Sequence, residues 1–183
     1  MTQVINPQSS RSIGSMTVYV GQGEQAVCDS PDTIITTTLG SCVSACLWDS
    51  ARGAGGMNHI VLPATARLDG RSAAFGVNAM ELLVNELLKL GARKSALRAK
   101  LFGGAQMLAH SSGIGARNAQ FVQEFLQREG IPVMGGDTGG RMAREIRFWP
   151  STGQARQRVS NAALKEDLSP VKVVPKQDDI EFF

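Results

Sequence analysis

Two residues of this chain have the types and the spacing for nucleophilic chemistry: Cys42 and His59. Cys42 closes the segment Thr38-Leu39-Gly40-Ser41-Cys42, a glycine-containing turn between two apolar, strand-like runs. His59 follows seventeen positions later, in Gly55-Gly56-Met57-Asn58-His59-Ile60-Val61-Leu62-Pro63, and the chain has only 2 histidines. A thiol is a weak nucleophile near neutral pH until a base takes its proton, and imidazole is the usual base. If the two segments lie side by side, they form a Cys–His hydrolase or transferase site. Most free cysteines are small buried hydrophobes, but a cysteine of that kind has no need of a Gly-Ser turn before it. Gly40 and Ser41 allow a close backbone approach, so the N–H groups of Ser41 and Cys42 can converge on one point as an oxyanion hole.

The other candidates carry less. Cys46 lies four residues beyond Cys42, and on a strand the two would share a face about 13 Å apart. That is too far for a disulfide, so Cys46 and Cys28 read as structural. Three cysteines and two histidines could supply four metal ligands, but they show no CxxC or HxxxH spacing, and no metal is expected. His110 sits in a polar stretch and reads as bland. A third group has to orient the imidazole, and Thr36, Thr37 and Thr38 on the run before Cys42 are equivalent by pattern alone. Phe102-Gly103-Gly104-Ala105 and Gly135-Gly136-Asp137-Thr138-Gly139-Gly140-Arg141 lack the P-loop Lys-Ser/Thr and the GxGxxG spacing, and read as close backbone approaches. Arg117 and Arg141 are the charged residues placed for an internal ion pair or a binding rim.

These residues must be held by a small set of elements. Met16–Val20, Thr33–Leu39 and the period-two residues Val43, Ala45 and Leu47 read as strands, as does His59–Leu62 after a Gly-rich, hairpin-like loop. Two helices follow, at about 76–90 with Val77, Met80, Val84, Leu87 and Leu88 on one stripe, and at about 118–129 with Asn118 as N-cap. Short strands come after each helix (96–101 and 131–134), and 144–149 with 155–159 form a closing hairpin. The order implies one α+β layered domain.

The spans are an N-terminal arm at 1–15, read as mobile, a domain at 16–163, and a C-terminal tail at 164–183 with a short apolar run at 171–174. The chain has 183 residues, enough for one real core, with a net charge of +3. No basic cluster is interleaved with aromatics, which argues against nucleic acid. No apolar run reaches membrane length and the N-terminus lacks a signal-peptide core, so neither membrane insertion nor secretion is expected. An odd cysteine count fits reduced thiols in the cytoplasm.

With these segments in hand, the chain resembles the CheD family, the chemoreceptor glutamine deamidases of bacterial chemotaxis. The resemblance rests on Leu39-Gly40-Ser41-Cys42-Val43, Met57-Asn58-His59-Ile60-Val61-Leu62-Pro63, Phe102-Gly103-Gly104-Ala105, Ile114-Gly115-Ala116-Arg117-Asn118 and Asp137-Thr138-Gly139-Gly140-Arg141. They occur in family order across about 16–159. The resemblance implies Cys42 as nucleophile, His59 as base and Thr36 as the third catalytic residue, with no cofactor. It implies a fold similar to the cytotoxic necrotizing factor-like cysteine hydrolases, mixed β-sheets sandwiched with helices outside. The implied partners are the cytoplasmic helices of methyl-accepting chemotaxis receptors and a CheC-type phosphatase. Non-catalytic activation of that phosphatase is the competing role. Gly40, Asn58, Gly103 and Gly104 are the candidate substrate-binding positions.

Overall fold

The computed structural model describes residues 2–4, 15–62, 70–107 and 113–160. In chain order the strands are β1 (Thr2–Val4), β2 (Met16–Tyr19), β3 (Gln25–Cys28), β4 (Thr33–Leu39), β5 (Val43–Asp49) and β6 (Ala54–Asn58). Helix α1 (Gly70–Lys89) comes next, then a short 3-10 turn at Lys94–Ala96, β7 (Arg98–Gly103) and helix α2 (Ile114–Arg128). Strands β8 (Val133–Thr138), β9 (Ala143–Trp149) and β10 (Gln154–Ser160) close the described chain.

The described strands form a six-stranded sheet in the order β1-β3-β6-β5-β7-β8 and a four-stranded sheet in the order β10-β9-β4-β2. Both are mixed: β2 runs parallel to β4 and β8 to β7, while β5 is antiparallel to β6 and β7. Strand β5 is buried along its whole length, because each of its faces meets a different layer. Val43, Ala45 and Leu47 pack with Met80, Leu83, Val84 and Leu87 of α1 and Val122, Phe125 and Leu126 of α2. Cys42, Cys46 and Trp48 face the other way, into a layer with Ile35 and Leu39 of β4 and Ile146 and Phe148 of β9. The result is a helix–sheet–sheet stack: the α+β layering that the element order implied, with the helices outside a sandwich of mixed sheets as the family resemblance implied. Each fully buried Leu or Ile in these layers contributes about 1.5–3 kcal/mol.

The far end of β5 is closed by Asp49. Its Oδ1 accepts the N–H groups of Ala51 (3.0 Å) and Arg52 (3.2 Å), and its Oδ2 accepts that of Arg93 (3.0 Å). Burial alone would push this carboxyl up, but the three N–H donors prevail and hold it below its ordinary range. This end of the strand is a structural clasp.

Several expectations are corrected. The Gly-rich stretch read as a loop is β6 itself, paired to β3 and β5, and His59 follows its last residue. Glycines stand there because a Cβ at Gly55 would lie 2.3 Å from the Pro150 carbonyl oxygen, and one at Gly56 2.6 Å from Val27. Helix α1 begins at Gly70 and α2 at Ile114, both earlier than their apolar stripes suggested. Asn118 is inside α2, not its N-cap; Gly113 holds that position. Within the segment read as an arm, Thr2–Val4 pairs in parallel with β3. Residues 5–14, His110 and the tail at 164–183 lie outside the described residues.

Candidate active site

Cys42 and His59 converge through strand register. Strand β5 pairs with β6 through Cys46 and Met57, and the bridge between Val43 and Ile60 continues the same register past the end of β6. Backbone bonds fasten that bridge in both directions, Val43 N to Ile60 O at 3.0 Å and Ile60 N to Val43 O at 2.7 Å. His59 therefore stands opposite Ser44, and Cys42 opposite Val61, all on the face turned toward the four-stranded sheet. The thiol and the imidazole belong to diagonal cross-strand neighbours, typically about 7–8 Å apart at Cα and within reach of long or aromatic side chains.

The group on the imidazole is Thr37. Its Oγ1 lies 2.9 Å from His59 Nδ1 and donates to the Val20 carbonyl at 2.7 Å. A hydroxyl has one hydrogen. With that hydrogen on Val20, Thr37 can only accept from Nδ1–H, which leaves Nε2 as the unprotonated, basic nitrogen. His59 is 6% exposed, and burial lowers its pKa below the ordinary 6.5 against opposing effects of the Val20 carbonyl and Glu24. Thr36, expected in this place, points away. Its Oγ1 donates to the Ile146 carbonyl at 2.8 Å, because successive side chains of β4 alternate between the two faces of the sheet.

The turn that carries Cys42 is gripped from the side of β7 and α2. The Gly40 carbonyl accepts Ala105 N–H at 2.8 Å, the Ser41 carbonyl accepts Asn118 Nδ2 at 3.0 Å, and the Cys42 carbonyl accepts Gly104 N–H at 2.7 Å. Gly103, at φ 102°, passes so near that a Cβ there would lie 2.2 Å from the Cys42 carbonyl oxygen. The second glycine cluster backs up the first: Gly139 N–H donates to the Gly103 carbonyl and Gln106 N–H to that of Gly140. Arg144, a buried residue in β9, donates to the Asp137 and Gly139 carbonyls and so fixes that loop.

The candidate substrate-binding residues therefore act on the backbone. Gly40, Gly103 and Gly104 belong to the grip on Cys42. Asn58 faces the helices, where Oδ1 accepts Ala45 N–H at 3.0 Å and Nδ2 donates toward the Ala79 carbonyl and Met80 Sδ. Arg117 and Arg141 are exposed, and among the described residues the buried arginine is Arg144. Sequence pattern left Thr37 level with Thr36 and Thr38, and it did not place Asn118 or Gln22 at the site. Thr37 shares its strand parity with the core residues Ile35 and Leu39, a usable signal. Asn118 donates to Ser41 and accepts Leu62 N–H at 3.3 Å, and Gln22 donates from Nε2 to Cys42 Sγ at 3.8 Å. Those three contacts join segments 20 or more positions apart and have no local signature. Beside His59 opens a cavity of about 100 Å³ walled in part by Glu24, Phe75, Ala79 and Leu82.

Among the described residues no three His, Cys, Asp or Glu side chains converge as a metal site, and no helix is long and apolar enough to cross a membrane. All three cysteines are free thiols.

Comparison with known proteins bears on this geometry. The family model described as CheD chemotactic sensory transduction matches residues 61–159. A protein of Agrobacterium fabrum named "Probable chemoreceptor glutamine deamidase CheD" is 49% identical, over 91% of this chain and 96% of its own length. Proteins of the same name from Caulobacter vibrioides (48% identical; 91% and 92%) and Rhizobium meliloti (47%; 91% and 95%) are similar to the same extent. Among solved structures, a Neisseria meningitidis protein is similar over 74% of this chain and 75% of that one, at 13% identity and a TM-score of 0.46.

Proposed function

The chain belongs to the CheD family, and from that premise we propose that it is a protein-glutamine deamidase. It converts glutamine side chains of chemoreceptors to glutamate with release of ammonia. The observation that carries the site assignment is the shared face of Cys42 and His59, with Thr37 selecting the imidazole tautomer that has a basic Nε2.

Nε2 of His59 takes the Cys42 proton. The thiolate attacks the substrate Cδ, forming a C–S bond as the carbonyl π pair moves onto oxygen. N–H groups of the Ser41–Cys42 backbone hold that oxyanion. The amide nitrogen leaves only when protonated, and imidazolium supplies the proton, so the C–N bond breaks to release ammonia and leave a thioester. Water, deprotonated by the same imidazole, attacks the thioester carbon. The C–S bond breaks, glutamate departs and the thiol is restored. The grip on the Gly40, Ser41 and Cys42 carbonyls fixes the turn during both attacks, and a misplacement of about 1 Å would cost about 10²-fold.

The product carries a new negative charge on a receptor helix. Like charges on neighbouring helix positions repel, which biases a receptor poised between signalling states. The reading places the protein in the cytoplasm, beside the receptor's cytoplasmic helices, and three free thiols are at home in that reducing compartment.

The test is mass spectrometry of a purified chemoreceptor cytoplasmic domain incubated with wild type and with Cys42→Ala. Conversion of glutamine to glutamate at discrete positions by wild type alone is the expected result. No conversion by folded wild type overturns the proposal. Binding to a CheC-type phosphatase needs no thiol, so a Cys42→Ala protein that binds one without converting receptor separates the two roles.

A further inference from the structure

We propose that Gln22 is a catalytic residue whose side-chain amide donates to the oxyanion formed when Cys42 attacks. The inference rests on Cys42 being the nucleophile. Gln22 sits at the tip of the turn between β2 and β3. Glu24 N–H closes that turn onto the Gly21 carbonyl at 3.0 Å, and Gly21 N–H donates to Glu24 Oε2 at 3.0 Å. The same turn is tied to the base from both sides. Gly23 N–H donates to the His59 carbonyl at 2.9 Å, and His59 N–H donates to the Glu24 carbonyl at 3.0 Å. A turn fastened in four places delivers the Gln22 amide to the thiol, with Nε2 at 3.8 Å from Cys42 Sγ.

An exposed glutamine ordinarily spends its N–H groups on water. This one is aimed at the nucleophile by a turn bonded to the catalytic histidine, so one rigid unit sets base and donor together. A carboxamide does not ionise near neutral pH, which leaves hydrogen-bond donation as its contribution. In the step, the new C–S bond places the former carbonyl oxygen on the carbon attached to sulfur. The negative charge thus moves from sulfur to an atom two bonds away. A side-chain donor that reaches sulfur before attack reaches that oxygen after it by a small torsional adjustment. Gln22 would add a side-chain donor to the backbone N–H groups proposed for the Ser41–Cys42 turn. Donors fixed before the charge develops are the effective ones.

The experiment uses the full-length protein with a purified chemoreceptor cytoplasmic domain, reading initial rates of glutamine conversion for wild type, Gln22→Ala, Gln22→Glu and Cys42→Ala. Iodoacetamide labelling of Cys42 at pH 7 is measured in parallel, because alkylation forms no oxyanion. Gln22→Ala is expected to lower kcat by about 10²–10³-fold, the loss typical of one oxyanion donor. KM and the labelling rate should stay near wild type. Gln22→Glu, which keeps the shape and puts a carboxylate where the charge develops, should lose at least as much. A Gln22→Ala protein as fast as wild type, or faster, overturns the inference, since Gln22 is then inert or a cap over the thiol. A kcat that falls only in step with labelling also overturns it, because Gln22 then acts on the thiol. If Cys42→Ala still converts receptor, the nucleophile assignment itself has failed, whatever Gln22 does.

Discussion

Cys42 and Cys46 lie four residues apart on the same face of β5's run, bordered by the same two sheets, yet their surroundings differ. Cys46 is fully buried among Met57, Trp48 and Phe148, and burial pushes its thiol up to about 12, only partly opposed by Ser44 and Lys100. Cys42 keeps 7% of its surface, has Gln22 on its sulfur, and sits at the residue where the strand becomes a turn. Cys28 is a third case, a structural thiol that accepts Ser30 N–H and donates to Thr33 Oγ1. Full burial in the sheet disfavours the Cys46 thiolate. In the proposed mechanism, what sets one cysteine apart as the nucleophile is the point at which the chain leaves the sheet, because there it meets a donor and a base.

The largest break in this comparison is a pair of single substitutions. Cys42→Ala should reduce receptor conversion by at least about 10⁴-fold, the loss expected when a nucleophile is removed, while losing no more than about 1 kcal/mol of stability. Cys46→Ala should convert receptor at the wild-type rate and lose about 1 kcal/mol of stability in urea denaturation, as a small cavity opens in the inter-sheet layer. Labelling at pH 7 followed by peptide mass spectrometry should find Cys42 modified and Cys46 untouched. Equal labelling of the two would dissolve the distinction.

Next in size is the grip on the turn. Gly103→Ala puts a methyl 2.2 Å from the Cys42 carbonyl oxygen at a φ of 102°. It should cost about 1–3 kcal/mol in backbone strain alone, and about 10²-fold in conversion as Cys42 shifts. Gly130→Ala is the control. It has φ 67° and nothing within 4 Å, so it should cost roughly 1–2 kcal/mol of strain and leave the rate alone. Equal rate losses would mean that Gly103 acts through stability and not through the nucleophile.

The two threonines sharpen the comparison and mark where the sequence was legible. Thr37→Val should slow conversion by about 10²-fold, by releasing the imidazole from its tautomer and orientation. Thr36→Val, on the outer face, should stay within about 2-fold, since it loses only a hydrogen bond to a backbone carbonyl. Steady-state kinetics on one receptor domain checks both, and the reverse order would restore Thr36. Strand parity held this answer: Ile35 and Leu39 are core residues, and Thr37 lies between them on the same face. Strands β4, β5, β9 and β10 were readable because β-branched and alternating residues mark them. Strand β6 was not, because its Ala54-Gly55-Gly56 start has glycines where neighbouring backbone and side chains leave no room for a Cβ. Asn118 looked like a cap because local pattern cannot see its bond to the Ser41 carbonyl, across 77 positions of sequence. Residue type and spacing pointed to the cysteine and the histidine before any family motif was needed, while the donors and carbonyl clamps between them exist only in the fold.

The smallest expected effect tests whether one physical cause explains both ends of the comparison. Burial disfavours charge. It silences Cys46 by raising its pKa, and it keeps His59 neutral, and hence basic at Nε2, by lowering its pKa below the ordinary 6.5. The linkage sign follows. Above pH 6.5 His59 is neutral in both folded and unfolded chains and contributes no slope. As pH falls through 6.5 the unfolded chain takes up the proton first, so stability falls until the folded-state pKa is passed. For one proton the slope cannot exceed about 1.4 kcal/mol per pH unit. Urea denaturation between pH 7.5 and 5.5, above most of the carboxylate range, should therefore lose stability for wild type and lose less for His59→Gln. The difference between the two curves isolates His59 from His110. A wild-type curve that gains stability over this window relative to His59→Gln would mean that the folded protein holds His59 as imidazolium. The resting site would then be a thiolate–imidazolium pair, and the neutral tautomer fixed by Thr37 would not be the ground state.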